Sequence, residues 1–257
     1  MAAPRALDPK WAQRLRRLRG RGWALIPVIS IVGVIFAIRY ASDTASWLTY
    51  LALVAVPLLA VAALGWLARG ARPWLALAAV GLFVIVWRTP GSLAGQAAGA
   101  LLTGLSCVTL GVLLSAVTPS RWLKLGIIAM ACADVWLIAS NQLQAPNTVL
   151  VQARPGAGLP QLQSEQFGTV TMGYGDLFVA GLLGGVFASR VRVQRTAAVL
   201  TLAIAAVFDL LFLVVANLPA TVPVALALLV VEAGLALRAS ARSGRSTRED
   251  AIPPPAT

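Results

Sequence analysis

The 257-residue sequence contains no histidine, only two cysteines and only nine acidic residues. Without histidine, neither a Ser–His–Asp triad nor a serine–histidine pair can form. Cys107 and Cys132 both fall inside hydrophobic stretches, so they read as reduced packing residues, with no disulfide, metal or cofactor to expect. Charged residues make up 12% of the chain against 59% hydrophobic, which excludes an ordinary soluble domain. Apolar runs of roughly 17–25 residues recur instead, the length a helix needs to cross a bilayer.

The expected fold is therefore an all-α polytopic membrane protein, a single bundle of about eight transmembrane helices. The spans read as 22–38, 46–68, 73–88, 92–118, 122–142, 168–188, 196–217 and 219–237, so the bundle occupies residues 22–238. Trp23, Trp47, Trp66, Trp74, Trp87 and Trp122 lie near the proposed ends, as an interfacial belt requires. Gly95 and Gly99, like Gly181 and Gly185, have the spacing that lets two helices approach closely. Residues 1–21 form a basic segment in which Trp11, Leu15 and Leu18 recur between Arg and Lys. That pattern suits a short helix on an anionic membrane surface, or a basic tail that only sets topology. Residues 239–257 are polar, end near Pro253-Pro254-Pro255, and read as a disordered tail.

The net charge of +12 is explained by topology, without nucleic acid. With a cytoplasmic N-terminus, 18 of the 21 basic residues fall inside, leaving Arg39, Arg88 and Arg154 outside. Both termini are then cytoplasmic and the localisation is the plasma membrane. The long loop 143–167 is external, and its prolines, glycines and glutamines predict irregular structure.

Two acids sit within apolar stretches. Asp134 lies in Cys132-Ala133-Asp134-Val135-Trp136, and Asp176 closes Gly173-Tyr174-Gly175-Asp176. An ionisable group at such a depth costs roughly 3 kcal/mol or more, so its default reading is functional. Each lies eight residues from the outer end of its expected span, which places both about 12 Å below the same face. Two carboxylates sharing a site do not both ionise easily; one keeps a proton while the other activates water. The alternative is that each acid separately pairs with a polar neighbour. Asp209 shares the same depth and reads better as a helix–helix hydrogen-bonding residue than as a third site group. Glu232, near the inner end of the last span, is expected to snorkel or pair.

Gly173-Tyr174-Gly175-Asp176 resembles the Gly-x-Gly-Asp motif of the presenilin and signal peptide peptidase family of intramembrane aspartyl proteases. Ala133-Asp134-Val135-Trp136 looks like that family's first aspartate motif, with Ala133 where Tyr is usual. Pro219-Ala220-Thr221 resembles its Pro-Ala-Leu motif, with Thr221 in place of Leu. The three occur in the family's order over 122–238, which would be the catalytic half. The family usually has nine spans, so a ninth helix would lie in the N-terminal half. The resemblance implies that Asp134 and Asp176 are catalytic. It also implies that Gly173, Tyr174, Gly175, Pro219, Ala220 and Thr221 shape the cleft that takes a transmembrane peptide. Gly173 and Gly175 would permit unwinding there, and an unwound cleft can pair with an extended substrate strand.

The charge bias puts the dyad toward the outer leaflet, as in signal peptide peptidase. Substrates would then be single spans with a cytoplasmic N-terminus, remnant signal peptides included. Prepilin peptidases share Gly-x-Gly-Asp but face the cytoplasm. Two readings from other classes compete. Thr171-Met172-Gly173-Tyr174-Gly175-Asp176 resembles a potassium-channel selectivity filter, which needs carbonyl rings, a pore helix before them and a full inner helix after them. Only twelve residues, 177–188, precede Ser189-Arg190, too few to span. A proton-coupled transporter using Asp134, Asp176 and Asp209 is the other reading. Oligomeric state is not legible.

Overall fold

The computed structural model describes residues 43–140, 142, 148–150, 152–156, 158–167, 170–211 and 218–249, together with 17, 20–26, 29 and 33. The expected surface helix of the basic tail and most of the first span lie outside these residues. Of that span a 3-10 turn, Gly22–Leu25, is seen.

Glycine, proline and serine punctuate the first helices. Helix α1 (Asp43–Ala62) runs on through a π-helical turn, Ala63–Leu67. Gly70 then adopts φ 81, a left-handed conformation that only glycine enters without a Cβ penalty. Pro73 opens a 3-10 turn (Pro73–Leu75) where its missing N–H costs nothing, and α2 (Ala76–Arg88) follows. Gly91, at φ 80, turns the chain again. Ser92 caps α3 (Leu93–Val117) by accepting from the Gly95 N–H at 3.0 Å. Helix α4 (Ser120–Ala139) ends at Ser140, whose hydroxyl donates to the Trp136 carbonyl at 2.7 Å.

The second half departs from the expected spans. Strands β1 (Ser164–Phe167) and β2 (Val170–Gly173) form an antiparallel hairpin, with Ser164 opposite Gly173 and Gln166 opposite Thr171. Helix α5 (Tyr174–Val186) follows directly, then α6 (Val191–Leu210) and α7 (Val222–Glu249). The expected span 168–188 is thus a strand and a 13-residue helix, because its first residues pair within the hairpin. Helix α7 also carries on to Glu249, well into the stretch 239–257 that composition reads as a disordered tail.

Five described helices are long and apolar enough to cross a membrane: α1 with its π turn, α3, α4, α6 and the Val222–Ser240 part of α7. Pro73–Arg88 and Tyr174–Val186 are shorter apolar helices. The protein is a helical membrane protein with one small hairpin.

Two cores hold the helices. Val56, Ala60, Ala79, Val86, Ala98 and Leu102 join α1, α2 and α3, and Leu162, from the segment before β1, is buried among them. Leu123, Ile127, Val179, Leu182, Ala197 and Leu228 join α4, α5, α6 and α7. Helices α3 and α5 link the two through a seam of small residues. A methyl group on Gly181 would stand 2.5 Å from the Cys107 carbonyl oxygen, and methyls on Gly111 or Gly185 would come closer still to the opposite backbone. Gly181 and Gly185 therefore do the work their spacing predicts. Gly95 does not, because it faces the Thr89 carbonyl in the turn before its own helix.

The outer surface is apolar where lipid would meet it. Val199, Leu202, Val207 and Leu210 on α6 are exposed, as are Trp47, Trp66, Trp74 and Trp87 near helix ends. Cys107 is buried as expected, but Cys132 is exposed. The two ends of the bundle are distinct. At one, Thr49 and Tyr50 bond the segment between α4 and β1 at Ala153 and Gly156, and Gln163 donates to the Ala153 carbonyl at 2.8 Å. At the other, the Arg69 guanidinium donates to the Ala188 carbonyl. There Lys124 also pairs with Glu232 at 2.8 Å, so Glu232 pairs as expected.

Candidate catalytic site

Asp134 lies on α4, five residues before Ala139. Its Oδ2 accepts from the Thr221 hydroxyl at 2.7 Å and from the Thr221 N–H at 3.4 Å. Thr221 is buried at the very start of α7, where its own carbonyl takes the first helical bond, from the Ala225 N–H. It occupies the N-cap position, and the positive end of the α7 dipole points toward the Asp134 carboxyl.

Asp176 is the third residue of α5. Its Oδ2 accepts from the Gly173 N–H at 3.2 Å, so the acid closes the first turn of its own helix. Helices α4 and α5, which carry Asp134 and Asp176, pack against each other. Each acid is half-buried and each sits at a helix N-terminus, a setting that suits negative charge.

The depth argument from span ends does not describe how they meet. Asp134 is about 8 Å from the end of α4 rather than about 12 Å, and Asp176 is in the first turn of a short helix rather than eight residues into a long one. The hairpin, not a continuous span, leads into the helix that carries Asp176.

The other predicted site residues divide. Gly173 joins β2 to α5 at φ −75, ψ 154, an extended conformation open to any residue. A Cβ there would stand 3.4 Å from Asp176 Oδ2, an ordinary contact, so neither backbone nor space requires glycine at this position. Gly175 lies inside the first turn of α5, so the stretch is wound rather than unwound at that point. The Tyr174 hydroxyl turns away to α3, 3.0 Å from Ser106 Oγ. Pro219 and Ala220 form the turn into α7, Pro219 half-buried and Ala220 exposed, and the Val222 N–H bonds the Pro219 carbonyl. Asp209 faces outward from α6, and its carboxyl bonds no described residue. The helix–helix hydrogen bond expected of it is not formed among those residues.

Ser106 and the hydrogen-bonding role of Thr221 escape sequence reasoning. A hydroxyl where the resembled motif has Leu was the available signal for Thr221; Ser106 had none. The hairpin had a weak signal, a glycine flanked by Phe167 and Val170. Among the described residues no cluster of three His, Cys, Asp or Glu side chains could hold a metal ion.

The geometry also bears on selectivity-filter chemistry. Residues 170–173 are paired strand to strand, and Tyr174-Gly175-Asp176 begin a helix. A strand that turns into a helix does not line up successive carbonyls as a row of ion ligands.

No protein-family model matches the chain, and neither a curated protein nor a solved structure does.

Proposed function

We propose that this chain is an intramembrane aspartyl endopeptidase in which Asp134 and Asp176 form the catalytic dyad. The observation that carries the reading is convergence. Three motifs remote in sequence, at Asp134, at Gly173–Asp176 and at Pro219–Thr221, are linked by the Thr221–Asp134 bonds and by the packing of α4 on α5.

The chemistry needs one ionised and one protonated carboxyl. The carboxylate takes a proton from water as the water oxygen bonds the peptide carbon. The carboxylic acid gives its proton to the carbonyl oxygen, and a gem-diol results. In the collapse the first acid returns its proton to the amide nitrogen. The second recovers one from a hydroxyl as the C–N bond breaks. A half-buried site at the end of α4 admits water, while the lipid-facing surface of the bundle admits a transmembrane peptide. The hairpin presents strand backbone beside Asp176, a surface on which an unwound substrate can pair.

About eight spans, cytoplasmic termini and a plasma-membrane location complete the proposal. The 18-to-3 partition of basic residues supports them, as do the two distinct ends of the bundle. Substrates are single spans with a cytoplasmic N-terminus, remnant signal peptides among them.

The test uses purified protein reconstituted with a synthetic type II transmembrane peptide. Wild type should cleave it, and Asp134→Asn and Asp176→Asn should each abolish cleavage. Proteolysis surviving in purified Asp134→Asn protein overturns the dyad. Potassium flux lost on changing Gly173 but indifferent to Asp134 would instead establish a channel.

A further inference from the structure

Asp134 and Thr221 are 87 residues apart, and their contact has an unusual form. A threonine at an N-cap ordinarily turns its hydroxyl inward to accept from its own helix. Here the hydroxyl donates outward to Asp134 at 2.7 Å, and the backbone N–H of the same residue donates at 3.4 Å to the same oxygen, Oδ2. Two donations to one oxygen restrict the rotation of the carboxyl and leave Oδ1 with no donor among the described residues.

Asp176 is held differently. It receives one donation, from the Gly173 N–H at 3.2 Å, within its own helix turn. Donors to a carboxylate favour its charged form; both acids lie at a helix N-terminus, but a short hydroxyl bond together with an amide bond favours it more than one amide bond alone. The groups around Asp134 do not compete. Helix α5 presents Asp176 and α7 presents Thr221; the 3-10 turn Gly22–Leu25, also packed on α4, carries no titratable side chain. Arg121 and Lys124 lie at the far end of α4 from Asp134, and Lys124 is paired there with Glu232 of α7.

We propose that Thr221 is the positioning residue of the dyad, holding Asp134 through Oδ2 so that Asp134 carries the negative charge as base and Asp176 carries the proton as acid. The inference rests on the proteolytic reading and assigns its two roles. It also departs from the expectation that Thr221 docks substrate. The leucine that the resembled motif has at this place cannot donate, so the device belongs to this sequence.

The experiment compares Thr221→Val, which keeps the branched shape and loses the hydroxyl, with Thr221→Ser, which keeps it. Both are made in the full chain, reconstituted, and assayed on the type II peptide across pH. A lost hydrogen bond to a charged group predicts that Thr221→Val lowers kcat about tenfold or more, leaves KM within about twofold, and moves the acid limb of the pH profile up by about one unit. Thr221→Ser should stay close to wild type in all three. A second readout does not depend on cleavage. The infrared titration of the carboxyl band that Asp134→Asn removes should move the same way in Thr221→Val. A raised KM with kcat and acid limb unchanged makes Thr221 a docking residue and overturns the proposal. So does an unmoved infrared titration, or a Thr221→Ser protein as impaired as Thr221→Val. If wild type cleaves nothing while the infrared titration still moves, the positioning role stands and the proteolytic reading is what fails.

Discussion

The Tyr174 hydroxyl stands 3.0 Å from Ser106 Oγ, fastening the start of α5 to the middle of α3. Ser106 already donates to the Thr103 carbonyl at 2.7 Å, so the tyrosine is the donor in this pair. Ser106 is fully buried, and the bond ties the residue two before Asp176 to the half of the chain that carries none of the motifs. Tyr174→Phe and Ser106→Ala should each cost about 1 kcal/mol in thermal unfolding in detergent. A double-mutant cycle should return a coupling of about that size, since the two share one interaction. Strict additivity would show that the contact contributes nothing.

The glycine seam predicts a sharp contrast between two positions. Gly181→Ala places a methyl 2.5 Å from a backbone carbonyl, which cannot rotate away, so α3 and α5 must separate. A loss of about 1–3 kcal/mol and a fall in any activity of the site are expected. Gly104→Ala, on α3 but with nothing within 4 Å of the added methyl, should be neutral or stabilising by about 0.5–1 kcal/mol. Equal effects at both positions in unfolding measurements would count against the seam.

If Asp134 and Asp176 act as one unit, the double Asn variant should be no less active than either single variant. Wild-type activity should rise and fall with pH as a bell, because doubly ionised and doubly protonated pairs are both inactive. Asp209→Asn should retain most of the activity, since Asp209 points away from the bundle. An activity that rises monotonically with pH would be incompatible with a shared proton.

The orientation is open to a direct test at Gln152, which is exposed in the loop between α4 and β1. In a chain with Cys132 changed to Ser, Gln152→Cys should react with a membrane-impermeant thiol reagent added to intact cells. Protection from outside, with labelling only after lysis, would invert the topology and with it the class of substrate.

Some of this was legible in the residues alone. The helical membrane class follows from apolar run length and from punctuation by Gly70, Pro73, Gly91 and Ser92. These are local properties, and each acted where it stands. That Asp134 and Asp176 are exceptional is equally local, because a carboxyl within an apolar run is costly wherever the chain goes next. What the run length hid was the hairpin. Residues 170–173 are as apolar as a helix start, and their strand state depends on the partner strand 164–167.

The sequence by itself determined a bundle of apolar helices with two buried acids, since hydropathy and the cost of a buried charge depend on each residue and its near neighbours. Only the tertiary structure decided that Gly181 rather than Gly95 lies in a helix seam, that Tyr174 reaches Ser106, and that Thr221 bonds Asp134. A hydroxyl or a missing side chain has no fixed partner along the chain. Its role is set by whichever backbone or carboxyl the packing brings within bonding distance, here from 68 and 87 residues away.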